Sequence, residues 1–324
     1  MQNSKDNSTL CGYCKLTGSR ILYPVNDIFG NFFMLNQCDH CKAYFISPRP
    51  DEAMLSRAYD DTYYGSKEEK FKSPLVEKVL DSFRMGRARR LGRMLKPGSN
   101  VLDIGCGNGR FLKYLLNYGN FTLNGTELAG NSANRASRLS EIQLKTGTLG
   151  KGDFGKGSMD AVTMFHVFEH LAEPQQTLDI VDEILKSGGI FMASFPNIAS
   201  LQSRMFKGRW LHLDPPRHLF FFAPDDFIRM MKTRGYELKK TTWISTEQNP
   251  YGFVQSFLNS ILKKREVLFE RLKGNTVYAP EYGKFSILMQ KIVFLALFPI
   301  FILTDYASGL LKNSATVEFI FIKH

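Results

Sequence analysis

The chain has 324 residues, 44% of them apolar and 23% charged, with a formal net charge of +11. It is too long for one small module, and its balance is that of an ordinary globular protein with room for an α/β domain and an accessory unit. The basic excess implies an anionic partner, whether nucleic acid, phospholipid or a phosphorylated substrate, without choosing among them.

The opening from Met1 to Leu10 is polar and carries no secretory pattern, so the cysteines are expected as thiols or metal ligands rather than disulfides. Four of the five form two pairs, Cys11-Gly-Tyr-Cys14 and Cys38-Asp-His-Cys41, with 23 residues between them. Each pair can place two thiolates on one tetrahedral ion, and two such knuckles make a zinc ribbon. Four sulfurs leave no position open for substrate, so the zinc is expected to be structural, with His40 a neighbour. This module should span 1–50. Residues 51–98 read as a linker, with Tyr59, Tyr63 and Tyr64, and a helical lead-in. Along that lead-in Leu75, Val76, Val79, Leu80, Phe83, Leu91, Met94 and Leu95 keep helical spacing and should cover a sheet. Arg84, Arg87, Arg89, Arg90, Arg93 and Lys96 lie on the same stretch.

The run Val101-Leu102-Asp103-Ile104-Gly105-Cys106-Gly107-Asn108-Gly109 comes next. Its first half predicts a buried strand at 100–104. Glycines at alternating positions then allow a sharp turn that approaches a ligand more closely than a Cβ permits. Phe111 to Tyr118 follow with helical spacing. A strand, a Gly-rich loop and a helix in that order hold a nucleoside-containing cofactor at the carboxyl end of a parallel sheet. A second carboxylate, Glu127, stands 24 residues after Asp103, closing the segment from Phe121 to Thr126. A pyrophosphate would want G-x-G-x-x-G opening straight into a helix. Gly105, Gly107 and Gly109 behind Asp103 instead suit a cofactor with an α-amino group and no phosphate.

This run resembles the first motif of class I S-adenosylmethionine-dependent methyltransferases, and the resemblance covers 100–245 closely. It implies that the loop backbone lies along the methionine part of S-adenosyl-L-methionine and that Glu127 accepts the ribose hydroxyls. The cofactor contacts implied are Asp103, Gly105, Cys106, Gly107, Gly109, Glu127, Leu128, Thr148, Leu149, Phe165 and His166. Thr148 stands where relatives often carry an Asp near the adenine, and Cys106 reads as small and apolar rather than reactive. The expected fold is α/β: a Rossmann-like seven-stranded methyltransferase sheet over 99–324, with an N-terminal zinc ribbon and a helical hydrophobic insertion before the last strand. Alternating patterns put the later strands at 121–126, 142–146, 160–165, 189–195, 236–245 and 316–322.

After the fourth strand, His166-Val167-Phe168-Glu169-His170-Leu171 should line the methyl-transfer cleft. On a helix His166 and His170 would share one face. With Glu169 they could bind a divalent ion, as in some quinone O-methyltransferases, or brace the helix and loops. The strand does not end in the Asn/Asp-Pro-Pro-Tyr motif of enzymes that methylate nucleic-acid amines, which lowers base methylation. Beyond the fifth strand, Arg209 to Leu219 resembles the "PRH" segment of methyltransferases with the same zinc-ribbon front end. Pro215-Pro216 fixes an extended loop, and Trp210, His212, Arg217 and His218 should converge near the acceptor. His218, with His170 as second candidate, is the expected catalytic base, because an imidazole titrates near neutrality. A helix should run over 224–235 from Asp225-Asp226.

Roughly seventy residues separate the last two strands, so an insertion lies at about 250–312. Within it Ile292 to Thr304 carries no charge. That stretch is short for a membrane span, which needs about 20 apolar residues, and Pro299 interrupts it. It should pack on the domain or another copy, or lie in a membrane interface favoured by Lys263, Lys264, Arg265, Arg271 and Lys273. The expected activity is methyl transfer from S-adenosyl-L-methionine to a hydroxyl of a sugar or lipid-linked glycan, in the cytoplasm or at a membrane face. The rivals are a quinone-type or other small hydroxyl, RNA, and a cofactor-binding scaffold without catalysis.

Overall fold

The computed structural model describes residues 5–6, 9–59, 74–273, 275 and 278–324; Tyr63, Tyr64 and the side chains of Leu75 and Val76 lie outside this description. An antiparallel unit comes first: β1 (Lys5–Asp6), β2 (Ser19–Asn26), β3 (Phe32–Cys38) and β4 (Tyr44–Ser47). Helices α1 (Glu52–Ala58) and α2 (Pro74–Gly92) lead to β5 (Asn100–Ile104), α3 (Arg110–Leu115), β6 (Thr122–Glu127), α4 (Asn131–Ala136) and β7 (Ile142–Thr146). Then come β8 (Met159–Phe165), α5 (Pro174–Ile184), β9 (Leu185–Pro196), α6 (Leu201–Phe206), β10 (Phe220–Phe221), α7 (Pro224–Thr233) and β11 (Tyr236–Thr242). Helices α8 (Asn249–Ile261), α9 (Val267–Lys273) and α10 (Lys284–Leu310) precede β12 (Thr316–Lys323).

The central sheet has the order β11-β12-β9-β8-β5-β6-β7. Its five strands from β9 to β7 are parallel, and β12 runs antiparallel between β9 and β11. Parallel strands covered on both faces need apolar residues at consecutive positions, and Val101, Leu102, Val162, Met164 and Ile190 to Ala193 are all buried. This is the expected seven-stranded α/β sheet, with β9 beginning earlier than the pattern predicts. α7 begins on Pro224 with Asp225 and Asp226 in its first turn, where proline needs no N–H and carboxylates meet the positive helix end.

The amino-terminal unit is not a separate appendage. Phe220 and Phe221 of β10 pair with Phe45 and Tyr44 of β4, so a segment from beyond β9 completes its sheet. Cys11, Tyr13, Cys38 and Phe45 share one buried cluster with Phe168, Phe195, Phe222 and Phe227.

One expectation needs correction and another extension. His166 and His170 do not share a helical face: a 3-10 turn covers only Phe168–His170, and His166 sits outside it at φ 53°. The helical insertion is present as expected, but it is longer than its uncharged stretch at 292–304 suggests: α10 runs unbroken through Pro299 for 27 residues, long and apolar enough to cross a membrane. Pro299 is exposed, as is Leu295 one turn earlier, so the carbonyl that proline leaves unpaired lies on the outer face. One side of α10 is fastened to the domain: Phe301 stacks on Phe253 at 4.0 Å, and the buried Asp305 carboxylate accepts from Asn249 Nδ2 at 2.6 Å and Ser245 N at 3.2 Å. The other side carries Phe285, Leu288, Ile292, Leu295, Leu303, Tyr306 and Leu310, all exposed. Only 6% of its most apolar window is buried.

Candidate functional site

The four paired cysteines meet. Cys11 and Cys41 sulfurs are 3.6 Å apart, as are those of Cys14 and Cys38, and all four donor atoms lie within 4.8 Å of one another. A tetrahedral ion with zinc–sulfur bonds of about 2.3 Å requires sulfurs about 3.8 Å apart. Backbone N–H groups of Tyr13 and His40 donate to Cys11 and Cys38 sulfurs at 3.4 Å, as suits thiolates. The donor set therefore fits a closed zinc site. The His40 ring turns away to Thr17 O.

The glycine loop leaves β5 at the carboxyl edge of the sheet. Gly105, Gly107 and Gly109 all have positive φ, which side chains rarely adopt. Their reasons differ. A Cβ on Gly105 would stand 2.4 Å from Val167 Cγ2, and one on Gly109 2.7 Å from Ile142 Cδ1, so both are glycine for packing. A Cβ on Gly107 meets nothing within 4 Å, so this turn faces open space. Glu127, at the end of β6, accepts from Gly107 N at 2.7 Å and Leu128 N at 3.2 Å. Asp103 is buried and accepts from Thr163 Oγ1 at 2.6 Å. Burial pushes its pKa up to about 7; the Thr163 bond opposes this and the charge of Glu127 adds to it. Cys106 is buried, and burial raises its thiol, so it stays unreactive. Leu128 and Thr148 are exposed on the rim and Leu149 is buried.

Beside the loop lies a cavity of about 170 Å³. Its floor is one register row of the sheet: Phe165 pairs with Ser194, Ser194 with Glu318, and Glu318 with Thr242. Ser194, Glu318 and Thr242 line it, with His166 at the β8 end and Arg87 and Arg90 of α2 above. Arg90 Nη2 donates to both Glu318 oxygens at 2.7 and 2.9 Å, and Arg87 to Glu247 at 2.7 Å. The Arg87 guanidinium also stands 4.9 Å over the Phe165 ring. Part of the basic lead-in is thus engaged internally. The Ser194 and Thr242 hydroxyls are buried without hydrogen-bond partners. A wider hollow of about 410 Å³ beside Tyr236 and His324 lies at the opposite end of the sheet, away from the loop.

The expected histidines converge only in part. His170 and His218 pack ring on ring at 4.5 Å, and with Glu169 they bring donor atoms within 4.8 Å of one another. Their Nδ1 atoms are already engaged, His170 by Tyr59 Oη at 2.8 Å and Arg217 O at 3.1 Å, His218 by His212 O at 2.7 Å. Neither is among the residues lining the cavity. Trp210, His212 and Arg217 are buried beneath them, Arg217 held by Asp214. Burial drops both His170 and His212 to about 3. His166 lines the cavity, and its Nδ1 stands 3.4 Å from Glu169 Oε1. Burial alone would raise Glu169, but the imidazoles of His166, His170 and His218 hold it at about 2. The wall formed by Ser194, Glu318 and Thr242 escapes sequence reading, because only strand pairing brings three distant positions into one row.

A family model described as a methyltransferase domain matches residues 79–241, just over half of the chain. A "probable S-adenosylmethionine-dependent methyltransferase" of Mycolicibacterium smegmatis is 25% identical over 144 residues, covering 44% of this chain and 54% of that protein. A ubiquinone biosynthesis O-methyltransferase of Dinoroseobacter shibae is 26% identical over 175 residues, covering 49% and 70%. The chain thus spans about half the length of the first of these relatives. Among solved structures, the (4+2)-cyclase SpnF superimposes with a TM-score of 0.50 at 14% identity, over 83% of this chain and 92% of that one, a likeness of fold.

Proposed function

The chain belongs to the methyltransferase-domain family matched over residues 79–241, and from that premise we propose that it transfers the methyl group of S-adenosylmethionine to a hydroxyl acceptor borne on a membrane surface. The observation that carries the reading is the glycine loop, closed by Glu127 on Gly107 N and open to solvent at Gly107, directly beside a polar cavity. In this reading Asp103 to Gly109, Glu127, Leu128, Thr148 and Leu149 hold the cofactor, and Phe165 and His166 form the end nearest the methyl. Cys11, Cys14, Cys38 and Cys41 hold a structural zinc that ties together the two knuckles of the module at 1–50, which the β4–β10 pairing joins to the segment after β9. His170 and His218 hold that segment in place. Methyl transfer is then an in-line displacement in which alignment supplies most of the acceleration, since the sulfonium is already an activated donor.

The membrane assignment rests on α10. Its outward stripe is apolar, and the exposed charges along and just beyond it are Lys284, Lys291 and Lys312, a pattern suited to the headgroup boundary of an anionic leaflet. The Asp305 bond to Ser245 and the contact of Gly309 with Ile244 tie this helix to the cavity rim, which both Ile244 and Ser245 line. A lipid-linked glycan fits that setting. A quinone-type phenol is the second reading, favoured by the ubiquinone relative, since it too joins a hydroxyl head to an apolar tail.

The test is transfer of labelled methyl from S-adenosylmethionine to extracted lipids, with flotation of the protein on phosphatidylglycerol vesicles. Label should enter the lipid fraction, and mass spectrometry of the product separates glycan from phenol. Leu288→Ser, Leu295→Ser and Leu303→Ser together should release the protein from vesicles at unchanged cofactor affinity, whereas Phe294, Leu297 and Phe301 pack inward and would report on the core. Label confined to RNA or water-soluble acceptors, with no vesicle binding, would sink the membrane assignment.

A further inference from the structure

We propose that His166 is the base that takes the proton from the acceptor hydroxyl and that Glu169 orients it; this rests on the methyl-transfer reading above. His166 follows β8 directly and lines the cavity together with Ser194, Thr242 and Glu318, and the hydroxyls of Ser194 and Thr242 are buried without hydrogen-bond partners. Its neighbour Val167 packs against Gly105, so the chain passes here from the glycine loop's wall to the cavity that His166 lines. The residue holds φ at 53°, a conformation that costs energy for a side chain bearing a Cβ and that collects at functional sites. That backbone turn brings Nδ1 to 3.4 Å from Glu169 Oε1 and leaves Nε2 as the ring nitrogen for the acceptor.

Glu169 supplies the independent observation. It is 1% exposed, and the groups facing its carboxylate are imidazoles: His166 Nδ1 at 3.4 Å from Oε1, with donor atoms of His170 and His218 within 4.8 Å. A buried carboxylate in that state is costly unless a cation forms beside it. An imidazolium on His166 is such a cation, and it forms at the moment the proton arrives. The oxygen of the acceptor attacks the sulfonium methyl, the O–CH3 bond forms, and the S–CH3 bond breaks with its electron pair left on sulfur. The hydroxyl proton passes to His166 Nε2 and returns to water after product leaves. His170 and His218 are poorly placed for this step, since their Nδ1 atoms hold the segment after β9 and they stand off the cavity.

The experiment compares the full-length wild type with His166→Asn, which tolerates a positive φ, His166→Gly, Glu169→Gln and Glu169→Asp. Cofactor affinity is read by calorimetry, and turnover by label transfer to the extracted lipids. We expect His166→Asn to lose about 100-fold or more in rate measured at saturating S-adenosylmethionine. Added imidazole should restore part of the rate to His166→Gly and none to Glu169→Gln, whereas Glu169→Asp should recover part of it. In the wild type, nitrogen chemical shifts should show the His166 ring protonated on Nδ1, and Glu169→Gln should remove that preference. A wild-type ring protonated on Nε2, or His166→Asn within threefold of wild-type turnover, overturns the dyad alone. A wild type that binds no S-adenosylmethionine overturns the methyl-transfer reading and the dyad with it.

Discussion

The two halves of the central sheet reach the same carboxyl edge by different routes. On the β5–β6–β7 side the glycine loop is built from a contiguous stretch, Asp103 through Gly109, whose Gly107 N–H donates to the Glu127 carboxylate. On the β9–β12–β11 side the cavity is assembled from Ser194, Thr242 and Glu318, capped by Arg87 and Arg90 from a helix that precedes them all. The first half is a local device that any chain of this pattern can build. The second depends on register, on α10 holding the rim, and on an amino-terminal sheet that borrows Phe220 and Phe221. On the proposed reading, cofactor binding is carried locally and acceptor choice by long-range packing.

The largest expected effect comes from breaking the borrowed sheet. Cys38→Ser with Cys41→Ser should remove about one zinc per chain and cost about 4 kcal/mol or more of stability. The loss should spread into the acceptor half, since Cys11 and Tyr13 pack with Phe220 and Phe222. Metal analysis and denaturant unfolding check this. A fresh wild type without metal, or a variant of wild-type stability, would separate the module from the catalytic fold.

Next is the loop itself. Gly107→Val should weaken S-adenosylmethionine about 100-fold, because φ of 58° excludes a β-branched residue and its side chain would fill open cofactor space. Calorimetry should find this with only a small fall in Tm. Gly105→Arg, which the motif alone suggests should leave the fold intact, should instead lower Tm as well, because its Cβ meets Val167. Equal Tm values for the two variants would show that the two glycines share one role.

The smallest effects are those of pH: on the acceptor half pH acts on stability, and on the cofactor half it acts on binding. His170 and His212 have folded pKa values near 3, well below those of free histidine. The unfolded chain takes up their protons first, so stability should be full above about pH 6.5 and fall on acidification, by at most about 2 kcal/mol per histidine down to pH 5. On the cofactor side, Asp103 with a pKa of about 7 is partly protonated at neutrality. S-adenosylmethionine, whose α-amino group is cationic, should bind more tightly as pH rises through 7. Asp103→Asn should flatten that binding profile and leave the acid limb of stability unchanged. A binding profile flat in the wild type would remove Asp103 from the site.

The strand, glycine loop, helix and Glu127 were legible because their residues are neighbours in the chain and their steric demands are local. The paired cysteines were legible for the same reason, since each knuckle is a four-residue unit. The reading of His166 to His170 as one helical face failed because the positive φ at His166 breaks the periodicity, and pattern carries no sign of that strain. The helical insertion before the last strand was legible from its apolar run, but its full length was not, because the helix also takes in the flanking polar residues and continues through Pro299, whose lost hydrogen bond falls on an exposed side.

The parallel sheet, its glycine loop and the four-sulfur set are encoded in short runs whose spacing states their geometry. Packing alone settles which glycine of the loop faces open space, which histidine lines the cavity and which side of α10 faces outward. Those answers come from pairing and packing between residues up to some two hundred positions apart in sequence, where no local pattern can record them.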